Sequence, residues 1–102
     1  MELLELQKVQ RKHDEKFHHD VMSWGRSKQI EHCAFHLSKL AGLFSTYCEK
    51  IHHGESYDVS RLTSDRVPDL MIFALKLANI FDLDLEQVYL KRLKAVEARR
   101  TA

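Results

Sequence analysis

At 102 residues the chain has the length of one domain, and 16 basic against 15 acidic residues leave a net charge of +1, too little field to draw in nucleic acid or an anionic membrane. One proline and three glycines give too little turn punctuation for a hairpin-rich fold, while 44% apolar and 30% charged residues are ordinary for a helical protein. No apolar run is long enough to cross a bilayer and no signal peptide is read, so a cytoplasmic location is expected.

The first helix is predicted from Glu2 to about Phe17. Leu3, Leu4, Leu6, Val9, His13 and Phe17 make a loose apolar stripe, and Glu2 and Glu5 suit a positive helix end. The run His18-His19-Asp20-Val-Met-Ser-Trp24-Gly25 breaks the pattern, and Gly25 with Ser27 marks a new start. From about Ser27 to His52 the spacing predicts the strongest helix. Ile30, Leu37, Phe44 and Ile51 recur every seven residues, and Cys33, Leu40 and Tyr47 follow the first three by three residues. Gly42 costs this helix about 1 kcal/mol relative to alanine and is expected to mark a close helix approach. Cys33 and Cys48 lie on the apolar pattern and read as buried free thiols.

His53 to Asp58 is a polar connection. A third helix begins near Thr63 to Val67, with Pro68 tolerable only in its first turn. Its apolar face is expected to be Leu70, Phe73, Ala74, Leu77, Ala78 and Phe81. After the turn Asp82-Leu83-Asp84, Asp84 with Gln87 fits a capping box for a fourth helix. That helix carries Leu85, Val88, Tyr89, Leu93 and Val96 and ends in basic residues through Arg100. The chain therefore reads as a single all-α domain over residues 1–102, a four-helix bundle with an N-terminal helix and turn at 1–26 and the bundle core at 27–100. Bundle helices with such wide apolar faces are expected to self-associate as a homodimer.

The order of helices, together with Asp69, the apolar run Leu70 to Leu75, Leu77-Ala78-Asn79 and then Asp84-Leu85-Glu86, resembles the MazG-like, all-α nucleoside triphosphate pyrophosphatases. The resemblance covers residues 27–100 and includes Arg99 at the end. It implies a four-helix MazG-like bundle, a nucleoside triphosphate as substrate, and magnesium held by Glu-x-x-Glu on the second helix and Glu-x-x-Asp on the third. This sequence departs from that pattern. With Gly42 placed on the family's glycine, the acidic positions of the second helix become Lys39, Leu40 and Leu43. Asp69 matches the aspartate of Glu-x-x-Asp, but the glutamate position is Arg66. In the fourth helix the usual Lys and Asn become Arg92 and Val96.

Magnesium prefers six oxygen ligands, and a lone Asp69 beside Arg66 is a poor site for it. Asp65, four residues before Asp69, could complete a carboxylate pair, although an acid at a helix start needs no further role. His32 and His36 are one helical turn apart, the spacing that lets two imidazoles share a metal, and His18, His19, His52 and His53 could add ligands. Histidines at helix ends and flanks also occur without any metal. Lys91, Arg92 and Arg99 near a helix C-terminus could contact phosphate, or simply form a solvated face favoured by the helix dipole.

Three functions stay open at this level. The first is a degenerate MazG-like protein that binds a nucleotide and cleaves it weakly or not at all. The second is an active metal-dependent pyrophosphohydrolase, converting a nucleoside triphosphate to monophosphate and pyrophosphate through Asp69 with Asp65 or histidines, with magnesium as cofactor. The third is a helical module that binds a protein partner.

Overall fold

The computed structural model describes residues 1–101, which form helices joined by short connections with no strand among them. α1 spans Leu3–Phe17, α2 is a single turn at His19–Met22, and α3 runs Arg26–His52. A π-helical turn at Leu62–Arg66 leads directly into α4, Val67–Ile80, and α5 covers Leu85–Thr101. The all-helical expectation holds. The one-turn α2 occupies part of the stretch predicted as a break. Among the described residues no helix is long and apolar enough to cross a membrane.

The helix ends follow local chemistry. α3 closes with Gly54 at φ 72°. The Gly54 N–H donates to the Ile51 carbonyl at 3.0 Å and the Glu55 N–H to the Lys50 carbonyl at 2.9 Å, which satisfies the last carbonyls of the helix. α4 ends in the same motif, with Asp82 at φ 53° in the place glycine usually takes. There the Asp82 N–H donates to Asn79 at 3.2 Å and the Leu83 N–H to Ala78 at 2.8 Å. Aspartate is one of the few side chains that tolerates this left-handed conformation. Asp84 then caps α5, its Oδ1 accepting the Gln87 N–H at 3.3 Å. Pro68 lies in the first turn of α4, as required. The wider π turn before it suits a proline, whose ring collides with the carbonyl four residues back in a regular α-helix.

α4 packs between α1 and α3, and α5 packs back on α1. The buried apolar residues are Leu75 and Ala78 of α4, Cys33 and Leu40 of α3, and Leu62 of the π turn. This corrects the expected face of α4, since Leu70 and Phe81 are exposed and Phe73, Ala74 and Leu77 are only half-buried. On α3, Ile51 is exposed. Cys48 is exposed too, so only Cys33 is the buried thiol of the sequence reading. Gly42 marks no close approach either, because a Cβ added there meets nothing within 4 Å.

The largest correction concerns α1. Its buried stripe is Gln7, Gln10 and Asp14, while Val9 and Phe17 face solvent. The reason is what α1 packs against. It crosses the end of α4 and the α4–α5 turn, where backbone groups need partners. Gln7 supplies them. Its Nε2 donates to the Leu83 carbonyl at 2.7 Å, and its Oε1 accepts the Leu85 N–H at 2.9 Å. Asn79 Nδ2 donates in turn to the Gln7 carbonyl at 3.0 Å. One residue of α1 thus satisfies both sides of the α4–α5 turn, including an N–H that the first turn of α5 leaves unpaired.

Replacing Gln7 by alanine leaves the Leu83 carbonyl and the Leu85 N–H without their partner, while the bond from Asn79 to the residue 7 carbonyl stays. We expect Gln7→Ala to lower unfolding free energy by about 2 kcal/mol in urea melts. Gln87→Ala, which keeps the backbone N–H that bonds Asp84, should change it by less than about 0.5 kcal/mol. Equal losses in the two variants would remove Gln7 from this role.

Candidate functional site

Three helix faces converge on one open cavity of about 530 Å³. α3 contributes His32, His36 and Lys39, at i, i+4 and i+7. Asp69, Phe73 and Lys76 of α4 repeat that spacing, and Arg66 precedes them by one turn. α1 contributes Val9 and His13, and the α1–α2 junction contributes His18. Residues one and two turns apart on a helix share a face, so three such faces make a wall of alternating cations and aromatic rings.

Both acids at this site are already engaged. Arg66 Nη1 stands 3.2 Å from Asp69 Oδ2, each side chain about one-third exposed. Asp14 is buried behind the cavity wall, with Lys76 Nζ at 3.0 Å and Gln10 Nε2 at 3.1 Å, both on its Oδ1. The imidazoles are linked by their rings. His32 and His36 lie edge to face at 4.6 Å, and His36 stacks on Phe73 at 4.9 Å with 17° between planes. Trp24 meets the far edge of His32 at 5.8 Å and carries Lys28 over its own face at 4.3 Å. Burial, reinforced by the positive neighbours His36, Lys76 and His18 and opposed only by Asp20, holds the His32 imidazole below its ordinary range. Beside it, burial raises the Cys33 thiol, with Asp14 adding to the effect and Lys76 opposing it. Cys33 is therefore a packing group rather than a nucleophile.

His32, His36 and Asp69, which the sequence proposed as ligands, do meet at this cavity, together with Lys39 and Arg66. Asp65 does not line it. Its carboxylate pairs with Arg61 at 3.7 Å and accepts the Ser64 hydroxyl at 2.8 Å. Leu40 is buried and Leu43 half-buried, so those two positions belong to packing. Lys91, Arg92 and Arg99 stand exposed on α5, with Val96 half-buried between them, and none of the four lines the histidine cavity. Lys91 instead borders a surface groove whose walls, with Leu90, Leu93 and Lys94, are all α5. The residues missed were His13, Asp14 and Lys76. The polar spacing Gln7, Gln10, Asp14 was a visible signal for the buried face of α1, whereas nothing along the chain links Asp14 to Lys76.

Compared with known proteins, the chain matches no family model, no curated protein and no solved structure. The pyrophosphatase resemblance accordingly rests on the helix order and on the run from Asp69 to Glu86.

The His32 shift carries a pH dependence. A depressed imidazole binds its proton more weakly in the folded chain than in the unfolded one. Its stabilisation is therefore complete above the unfolded value of 6.5 and is lost as pH falls below that toward the folded value. In thermal melts from about pH 7.5 down to about pH 5.5, Tm should fall on acidification, and His32→Asn should flatten that fall. An unchanged slope in the variant would assign the acid sensitivity to other groups.

Proposed function

We propose that this chain is a MazG-like protein with a degenerate metal site, which binds a nucleoside polyphosphate without cleaving it efficiently. The observation that carries this reading is Arg66 beside Asp69 at 3.2 Å. The one carboxylate on the cavity wall is neutralised by an arginine standing where the resemblance calls for a second acid. The residues present do not fit magnesium, which needs several oxygen ligands and gives up its water reluctantly. A single carboxylate already paired to a guanidinium neither holds that ion firmly nor orients a water on it.

The same wall suits an anion. Lys39, which lines the wall outside the ion pairs that hold Arg66 and Lys76, supplies positive charge, and Arg66, engaged with Asp69 through Nη1 alone, keeps further guanidinium N–H groups for charge-assisted hydrogen bonds to phosphate. The stacked His36–Phe73 pair offers a flat ring surface for a base.

The reading includes a homodimer. The radius of gyration is 16.5 Å, against about 13 Å for a compact domain of this length. The accessible surface is 7832 Å², against about 6,000 Å² for a compact monomer of this mass. The excess is larger than the roughly 800 Å² that each partner of a standard interface buries. Much of it is apolar, with Val88, Leu90 and Leu93 exposed on α5 and Val67, Leu70 and Met71 on α4.

Three measurements test the proposal. Calorimetry with nucleoside mono-, di- and triphosphates in chelator should show binding that strengthens with phosphate number and needs no metal. Arg66→Ala should weaken it roughly tenfold, or about 1.4 kcal/mol. Steady monophosphate release with magnesium or manganese, abolished by Asp69→Ala, would overturn the reading in favour of a working pyrophosphohydrolase. Absence of binding to any nucleotide would favour a protein-interaction module. Sedimentation equilibrium should return a dimer, and Leu90→Glu with Leu93→Glu should return a monomer of unchanged helicity. A wild-type monomer at all concentrations would remove the dimer.

A further inference from the structure

At the end of α1 three metal-ligating side chains stand together. The donor atoms of His13, Asp14 and His18 all lie within 4.8 Å of one another. On an uninterrupted helix, residues five apart point about 140° away from each other, and His13 could not meet His18. They meet because the helix stops. His18 leaves helical geometry at φ −130°, ψ 38° while its N–H still bonds the Asp14 carbonyl at 2.8 Å. The two imidazole centroids then stand 5.6 Å apart. His18 is held from the other side as well, its carbonyl accepting the Met22 N–H at 3.0 Å as α2 begins.

Asp14 is held through one oxygen by the Lys76 ammonium at 3.0 Å and the Gln10 amide at 3.1 Å, as metal-ligating carboxylates are themselves commonly hydrogen-bonded. Lys76 and Gln10 both contact its Oδ1, which leaves Oδ2 for a further partner. Three atoms no more than 4.8 Å apart share a point about 2.8 Å from each, and zinc needs about 2.0–2.2 Å, so a small closure completes the site. His13 is exposed and His18 half-buried, so an ion can reach the site from solvent. Both also line the large cavity.

We propose that His13, Asp14 and His18 bind one zinc ion, with a remaining coordination position open toward the cavity. Two imidazoles and one carboxylate suit zinc or its neighbours in the first transition row, and they do not suit magnesium. Three protein ligands and an open position are the pattern of a zinc site that takes water or another ligand in its fourth place. The site is separate from the Asp69–Arg66 pair and does not depend on nucleotide binding.

The test uses the full-length chain and metal alone. Titration with Co²⁺, a spectroscopic stand-in for zinc, should give one equivalent of visible d–d absorption that Zn²⁺ displaces. His13→Gln and His18→Gln should each weaken Zn²⁺ binding in calorimetry by roughly a hundredfold. His52→Gln, at the far end of α3 beside another histidine, should leave it unchanged. Circular dichroism checks that each variant folds, and the exposed position of His13 keeps that variant informative if His18→Gln is unstable. No binding, or binding that survives His13→Gln in the folded variant, would overturn the site. Binding lost in His52→Gln instead would assign the ion to a surface histidine pair and overturn it equally.

Discussion

The packing of α1 on α4 through polar groups is the constraint on which the rest of this structure depends. Most helix pairs of this size meet through leucines. Here Gln7 spans the α4–α5 turn, and Asp14 meets Lys76 at 3.0 Å with both side chains nearly buried. Taking two charges out of water costs several kcal/mol per ion, so such a pair adds little net stability. What it adds is register. An apolar seam can slide by a turn at small cost, whereas a shift of one turn here strands a buried carboxylate, an ammonium and two backbone groups of the turn. The seam therefore sets where α1 sits on α4, and with it where His13 and His18 stand.

The cavity follows from that register. α4 presents Asp69, Phe73 and Lys76 to a space whose other walls are α3 and the end of α1. Its chemistry is uneven. Each acid near it has a cation within 3.2 Å, while Lys39 and four imidazoles face the opening. A site of this kind is poorly matched to a hard divalent cation and well matched to a phosphate. The zinc site proposed above, His13, Asp14 and His18, draws two of its ligands from the imidazoles that line this cavity.

Much of the apolar surface lies outside this arrangement. α5 has no buried residue and extends from the turn that Gln7 holds. The long axes of the molecule are 45 and 44 Å, while the third is only 28 Å. A flat, open helical layer with leucine and valine on its outer side is what one half of a larger bundle looks like. The homodimer proposed above would cover such a layer, since a short chain cannot enclose every face of its own helices.

The order of the helices was legible in the sequence because periodicity, caps and breakers act over a few residues. The α3 stripe reached the core at Cys33 and Leu40, Pro68 stood in the first turn of α4, and Asp84 capped α5. The pairing of His32 with His36, and of Arg66 with Asp69, followed from helical spacing of one turn, whereas the meeting of these two pairs at one cavity did not. Other features were hidden. A stripe of Leu, Val and Phe on α1 outweighed the glutamines in any reading by hydropathy, yet the glutamines are buried. Hydropathy measures a residue's cost of leaving water, not the partners waiting for it. Those partners, the Leu83 carbonyl, the Leu85 N–H and the Lys76 ammonium, lie more than 60 residues away. By itself the sequence determined the four long helices, the helix starts marked by Pro68 and Asp84 and the poverty of carboxylates near Asp69, because these are local. Which face of α1 is buried, and that His13 and His18 flank the same cavity as His32, only the tertiary structure decided. Those outcomes depend on hydrogen bonds and ion pairs that close between distant segments.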